Sequence, residues 1–105
     1  MSVYVINQQM IPATELIATM TGASVLIGEL VAPPVKIVFD NLSNVAVVIS
    51  TSLDGGATKT QWKTFSAGTA VTLDNDLYSF PKGMRFYGVG ASGDFSVAYT
   101  YIKLP

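Results

Sequence analysis

From Val35 onward, turn signals recur at intervals so short that strands fit between them and long helices do not. Asp40-Asn41-Leu42-Ser43-Asn44 follows one apolar run. Asp54-Gly55-Gly56 follows the next, with the Asp-Gly pair favoured where a hairpin needs positive φ. Ala67-Gly68 separates Gln61–Phe65 from Thr69–Leu73. Asp74-Asn75-Asp76 opens a looser stretch that ends at Pro81-Lys82-Gly83. Ala91-Ser92-Gly93 then parts Arg85–Gly90 from the last run.

The runs themselves alternate as pleated strands do. Val35, Ile37 and Phe39 fall on one face of the run from Val35 to Asp40. From Asp94 to Lys103 the alternation lasts ten residues, with Phe95, Val97, Tyr99 and Tyr101 on one face and Ser96, Ala98 and Thr100 on the other. Val45–Ser50 is almost continuously apolar, which predicts a strand covered on both sides. Composition agrees: the chain has 12 Val, 7 Ile and 10 Thr but only two Glu in 105 residues. Branched side chains fit a pleated surface and lose rotamer freedom in a helix. The predicted fold class is all-β: an antiparallel β-sandwich or jelly roll of about eight short strands.

The first third carries weaker signals. Val3–Ile6 has strand character, Pro12 breaks the polar stretch after it, and Ala13–Met20 fits a short helix or a strand. We read it as a strand, because Thr21-Gly22-Ala23 resembles a hairpin turn into Ser24–Val31. Pro33-Pro34 forces an extended bend. The expected organisation is an N-terminal arm or edge strand over residues 1–12 and a single β-sandwich domain over 13–105. An arm that extends from its domain can add a strand to a neighbour's sheet edge.

Charge and residue inventory narrow the chemistry. Six basic and seven acidic residues make 12% of the chain, about half the usual share of roughly 25%. A net charge of −1 offers little for gripping phosphates, so nucleic acid is not an expected partner. Lys59, Lys63, Lys82 and Arg85 are too few for the basic groove of an oligonucleotide-binding barrel. Histidine and cysteine are absent, which excludes thiol catalysis, disulfides and Ser-His-Asp triads. Asp74-Asn75-Asp76 is not continued by the glycine and glutamate of a calcium loop. The glycines from Gly83 to Gly93 match no phosphate-binding pattern. Gly88 and Gly90 suggest a bulge or close packing instead. No catalytic, cofactor-binding or metal-binding residue is therefore assigned, and no enzyme activity or cofactor is expected. The opening residues lack the basic region of a signal peptide. No apolar stretch approaches the roughly 20 residues that span a bilayer, so no membrane partner is expected.

A surface so poor in charge is sticky on a free monomer, and burial against copies of the same chain or another protein is the economical outcome. The expected interaction residues are Val3, Tyr4, Val5 and Ile6 of the arm, together with Trp62, which comes after the polar tract Thr58-Lys59-Thr60-Gln61. Trp62 with Tyr78, Tyr87, Tyr99 and Tyr101 also admits a sugar-stacking platform, as in a carbohydrate-binding module. Phe95 and Val97 on the same face as Tyr99 and Tyr101 favour core or interface.

Four segments carry a resemblance. They are Val35-Lys36-Ile37-Val38-Phe39-Asp40-Asn41; Val48-Ile49-Ser50-Thr51-Ser52-Leu53-Asp54-Gly55-Gly56; Trp62-Lys63-Thr64-Phe65 with Ala67-Gly68; and Phe80-Pro81-Lys82-Gly83-Met84-Arg85-Phe86-Tyr87. The stretch Val35–Tyr101 resembles small all-β structural proteins of tailed bacteriophage virions. The resemblance implies a capsid cement or decoration protein, or else a head-tail or tail adaptor. It implies virion localisation, a homo-oligomer, other virion proteins (the major capsid protein above all) as partners, and no catalytic residues. The first 34 residues lie outside it.

Overall fold

The computed structural model describes residues 9–75 and 77–103. Among these residues eight strands form: β1 (Gln9–Thr19), β2 (Val25–Glu29), β3 (Lys36–Asn41), β4 (Val47–Ser52), β5 (Thr60–Phe65), β6 (Ala70–Leu73), β7 (Arg85–Val89) and β8 (Asp94–Lys103). One 3-10 turn, Leu77–Ser79, interrupts the connection from β6 to β7. The strands make two four-stranded antiparallel sheets, one ordered β1-β8-β3-β6 and the other β2-β7-β4-β5.

This order has a simple origin. β1 pairs with β8, β2 with β7, β3 with β6 and β4 with β5. The chain is one long hairpin whose tip is the β4–β5 turn. Folding that double ribbon over itself brings β8 beside β3 and β7 beside β4. The result is the jelly-roll form of the sandwich.

Alternation sorts each strand between core and surface. Ile37 and Phe39 of β3, Val47 and Ile49 of β4, and Phe95 and Val97 of β8 point inward and are fully buried. Phe39, Phe65 and Phe86 meet near the centre, with ring centroids 5.6 and 5.5 Å from Phe39. Small residues let the sheets approach. Leu16 of β1 fills the space over Gly28 in β2, and Met20 fills that over Gly88 in β7. Gly88 and Gly90 therefore serve close packing, as the sequence suggested.

Two expectations are corrected. Thr21-Gly22-Ala23 does not close a hairpin: β1 and β2 lie in different sheets, and the turn carries the chain across the sandwich. The apolar run Val45–Ser50 is not covered on both sides. Val47 and Ile49 are buried, but Val48 and Ser50 lie half-buried on the outer face of their sheet. The sequence cannot distinguish a hairpin from a crossover here, because both need a tight turn between β-prone runs. Ala13–Met20 is strand through Thr19, as expected.

The two poles of the sandwich differ. At one, the four connections 20–24, 42–46, 66–69 and 90–93 bond to one another or to the adjoining strand ends. The Met20 amide donates to the Gly93 carbonyl at 2.7 Å, Gly22 to Gly90 at 2.7 Å, Leu42 to Asp94 at 3.0 Å and Gly68 to Ser43 at 3.1 Å. The opposite pole carries the longer connections, 30–35, 53–59 and 74–84. There, too, the chain enters β1 at Gln9 and leaves β8 at Lys103, which lie opposite each other.

Candidate interaction surface

Asn41 anchors the knitted pole. Fully buried at the end of β3, its amide nitrogen donates towards the carbonyls of Val45, Phe65 and Ser66 at 2.9, 3.1 and 3.1 Å. Its carbonyl oxygen accepts from the Ser43 amide and hydroxyl at 3.0 and 2.6 Å. One side chain thus ties the β3–β4 crossover to the β5–β6 crossover. Gly93 packs against Ser43 with φ of +84°, so a side chain there is excluded by both conformation and space.

At the other pole the β4–β5 turn is held by side chains. Ser52 donates to Asp54 at 2.7 Å and accepts from the Gly56 amide at 2.9 Å. Asp54 accepts from the Thr58 amide at 2.8 Å. The Thr58 amide, then the Ser52 hydroxyl, draw the Asp54 carboxyl down to about 2. The turn folds back over the outer face of its sheet. Gly56 lies against the Tyr87 hydroxyl, and Lys59 sits 4.4 Å above the Tyr87 ring. Arg85 donates to the Gly55 carbonyl at 2.9 Å and to Glu29, its cross-strand partner, at 2.8 Å. The bond to Glu29, then that to Tyr87, raises the Arg85 pKa and keeps the guanidinium charged. Tyr87 is buried as a result, and Leu53 at the turn is 68% exposed.

The third feature is the open side where β5 and β6 form the two sheet edges. Register along β5 skips one residue: Ile49 faces Lys63 and Ser50 faces Gln61, which leaves Trp62 as a bulge. Its ring turns towards the gap between the sheets. It packs on Phe39, Phe80 and Phe65 at centroid distances of 4.9, 5.8 and 6.0 Å. Trp62 nonetheless keeps 37% of its surface exposed. It is both a lid on the core and an apolar surface on the open side.

The outer faces mix small apolar and hydroxyl side chains with spaced charges, Glu15, Lys36, Asp40 and Asp94 on the first sheet and the Glu29–Arg85 pair on the second. Across the first sheet, one row runs Ile17, Ser96, Asp40, Ala70, and the next runs Glu15, Ala98, Val38, Thr72. On the second sheet, Leu26 and Val89 are exposed beside half-buried Val48.

Of the sequence-predicted interaction residues, Trp62 lies at the open side. Val3, Tyr4, Val5 and Ile6 lie outside the described residues. The aromatic set disperses. Tyr99 is buried, its hydroxyl accepting from the Val31 amide at 3.0 Å, and Tyr101 packs beside it at 5.9 Å. Tyr87 lies under the β4–β5 turn on another face. The side chain of Tyr78 is outside the described residues. Sequence reasoning missed the Asn41 hub and the Tyr87 cover. The Ser-x-Asp-x-Gly pattern from Ser52 signals the turn, but nothing in it tells which way the turn folds.

Among the described residues, no group of three or more Asp and Glu side chains is placed to hold a metal ion. Asp74 and Asn75 lie exposed just past the end of β6. Among the same residues, no helix is long and apolar enough to cross a membrane. Compared with protein-family models, with curated proteins and with solved structures, the chain matches none.

Proposed function

We propose that this chain is a non-enzymatic structural protein of a bacteriophage virion, a capsid cement or decoration protein that self-associates and binds the head through apolar and Ser/Thr-rich surfaces. The observation that carries the reading is a jelly roll whose outer faces are broad and built largely from Ala, Ser, Thr, Val and Ile, with Glu15, Lys36, Asp40 and Asp94 spaced across one and the Glu29–Arg85 pair on the other. Such faces gain by being covered. At about 25 cal/mol per Å², roughly 800 Å² of mostly apolar contact offers about 20 kcal/mol before entropic losses. Repetition over many copies makes each contact lasting. The resemblance of Val35–Tyr101 to virion proteins supports the same reading. A head-tail or tail adaptor uses the same faces and is the variant within this class.

A carbohydrate-binding module is the alternative of another class, favoured by the exposed part of Trp62. The burial of Tyr87 and Tyr99 weakens it, since stacking needs exposed rings on one face. An antiserum against the purified chain, applied to particles sedimented from the lysate of its source, tests the proposal. The chain should co-sediment at a fixed ratio to the major capsid protein. Recovery only in the soluble fraction, with glycan binding lost in Trp62→Ala, would replace the virion reading with the sugar-binding one.

A further inference from the structure

A four-stranded sheet has two edges, and an exposed edge is a template for another strand unless something blunts it. Three of the four edges here are blunted. β1 contains Pro12, a register break between Ile11 and Thr14, and Glu15. β2 has a break between Leu26 and Gly28 and ends on Glu29. β5 bulges at Trp62 and carries Lys63. β6, Ala70-Val71-Thr72-Leu73, has no charge, no proline and an unbroken register with β3.

The backbone of β6 can be assigned to its two sides. The Asn41 amide donates to the Thr69 carbonyl at 2.9 Å, so Thr69 points its carbonyl at β3. Antiparallel ladders alternate, so Val71 and Leu73 also bond to β3, while the amides and carbonyls of Ala70 and Thr72 point away from it. Among the described residues, β3 is the only strand paired with β6.

We propose that a second copy of this chain occupies this edge, β6 against β6 antiparallel about a two-fold axis, joining two four-stranded sheets into one of eight. This inference rests on the self-association in the functional reading above. The strand is complementary to itself. Opposed residues must share a face, which excludes registers that set Val71 against Thr72 of the partner copy. With Thr72 on the axis, Thr72 faces Thr72, and Ala70 faces Asp74. The outward backbone groups of the two Thr72 residues are then matched, and those of Ala70 meet the chain just past the end of β6. Val71 meets Leu73 over the core rim, and the two Asp74 carboxylates lie at opposite ends. The same axis brings the β5 edges together. Trp62 packs on Phe39, whose partner on β6 is Val71, one residue from the axis. The exposed part of each Trp62 then falls at the centre of the joint, where a large aromatic contributes most to an interface.

The chain contains no cysteine, which makes the test clean. A hydrogen-bonded antiparallel pair sets its Cα atoms about 5.5 Å apart, within disulfide reach. Thr72→Cys should therefore cross-link to a dimer under mild oxidation. Ala70→Cys should not, because the two copies of residue 70 lie four residues apart along the strands, about 13 Å. Thr72→Pro removes only an outward amide and should halve the mass seen by light scattering, with unchanged thermal unfolding of the monomer. The neighbouring register, with Val71 on the axis, would cross-link Val71→Cys instead; oligomers in which neither Thr72→Cys nor Val71→Cys cross-links better than Ala70→Cys would overturn the β6 joint and leave self-association standing. A wild-type chain that is monomeric by light scattering would overturn both.

Discussion

Asn41 shows how much one polar side chain can hold. It donates to the Phe65 carbonyl and accepts from the Ser43 amide, both in buried surroundings, and an unsatisfied buried group costs roughly 1–3 kcal/mol. Asn41→Ala should lose about 2–4 kcal/mol in urea unfolding, since the Phe65 carbonyl and the Ser43 amide both lose a partner. Asn41→Asp should do worse, because a carboxylate presents only acceptors to that carbonyl. Asp54 makes a pH-dependent contribution. Its folded pKa of about 2 lies below the unfolded value near 3.8. The charged form is therefore favoured by folding, and the stability it adds is complete above the unfolded pKa and fades as pH falls through the folded one. A carboxyl titration by NMR should place the Asp54 midpoint near 2. In Ser52→Ala and Thr58→Pro the midpoint should move back towards an ordinary aspartate.

Among the elements, β3 and β8 were legible because one face of each is core and the other is not. The Asp-Gly-Gly hairpin was legible because its backbone demands glycine: Gly55 and Gly56 have φ of +74° and +98°. The pairing of strands was not legible. Nothing in Val25–Glu29 records that its partner is Arg85–Val89, since that choice is made by the closing of the whole ribbon. The Trp62 bulge was hidden too. A strict alternation places Trp62 and Thr64 on one face, and only the extra residue turns the ring to Phe39. As the sole tryptophan, it reports on this edge. Its emission should shift to the red when Phe80→Ala removes the neighbour 5.8 Å away. An unchanged spectrum would mean that the ring does not depend on that packing.

The fold of the molecule as a whole is dominated by distant partners. The outermost pair, Gln9 with Lys103, closes nearly the whole chain. Loop-closure entropy must be met before such contacts stabilise anything, so refolding should lie at the slow end for small domains, from milliseconds to seconds. Stopped-flow Trp62 fluorescence measures it directly. The nested pairing also gives the molecule a mechanical direction. β1 and β8 leave the same pole side by side, so a pull applied to both opens their ladder one pair at a time, from Gln9–Lys103 inward, as a zipper opens. A load across the sheet, strand against strand, must instead shear many bonds at once. The domain is soft to tension applied where β1 begins and β8 ends, and stiff to stress passed through its flanks.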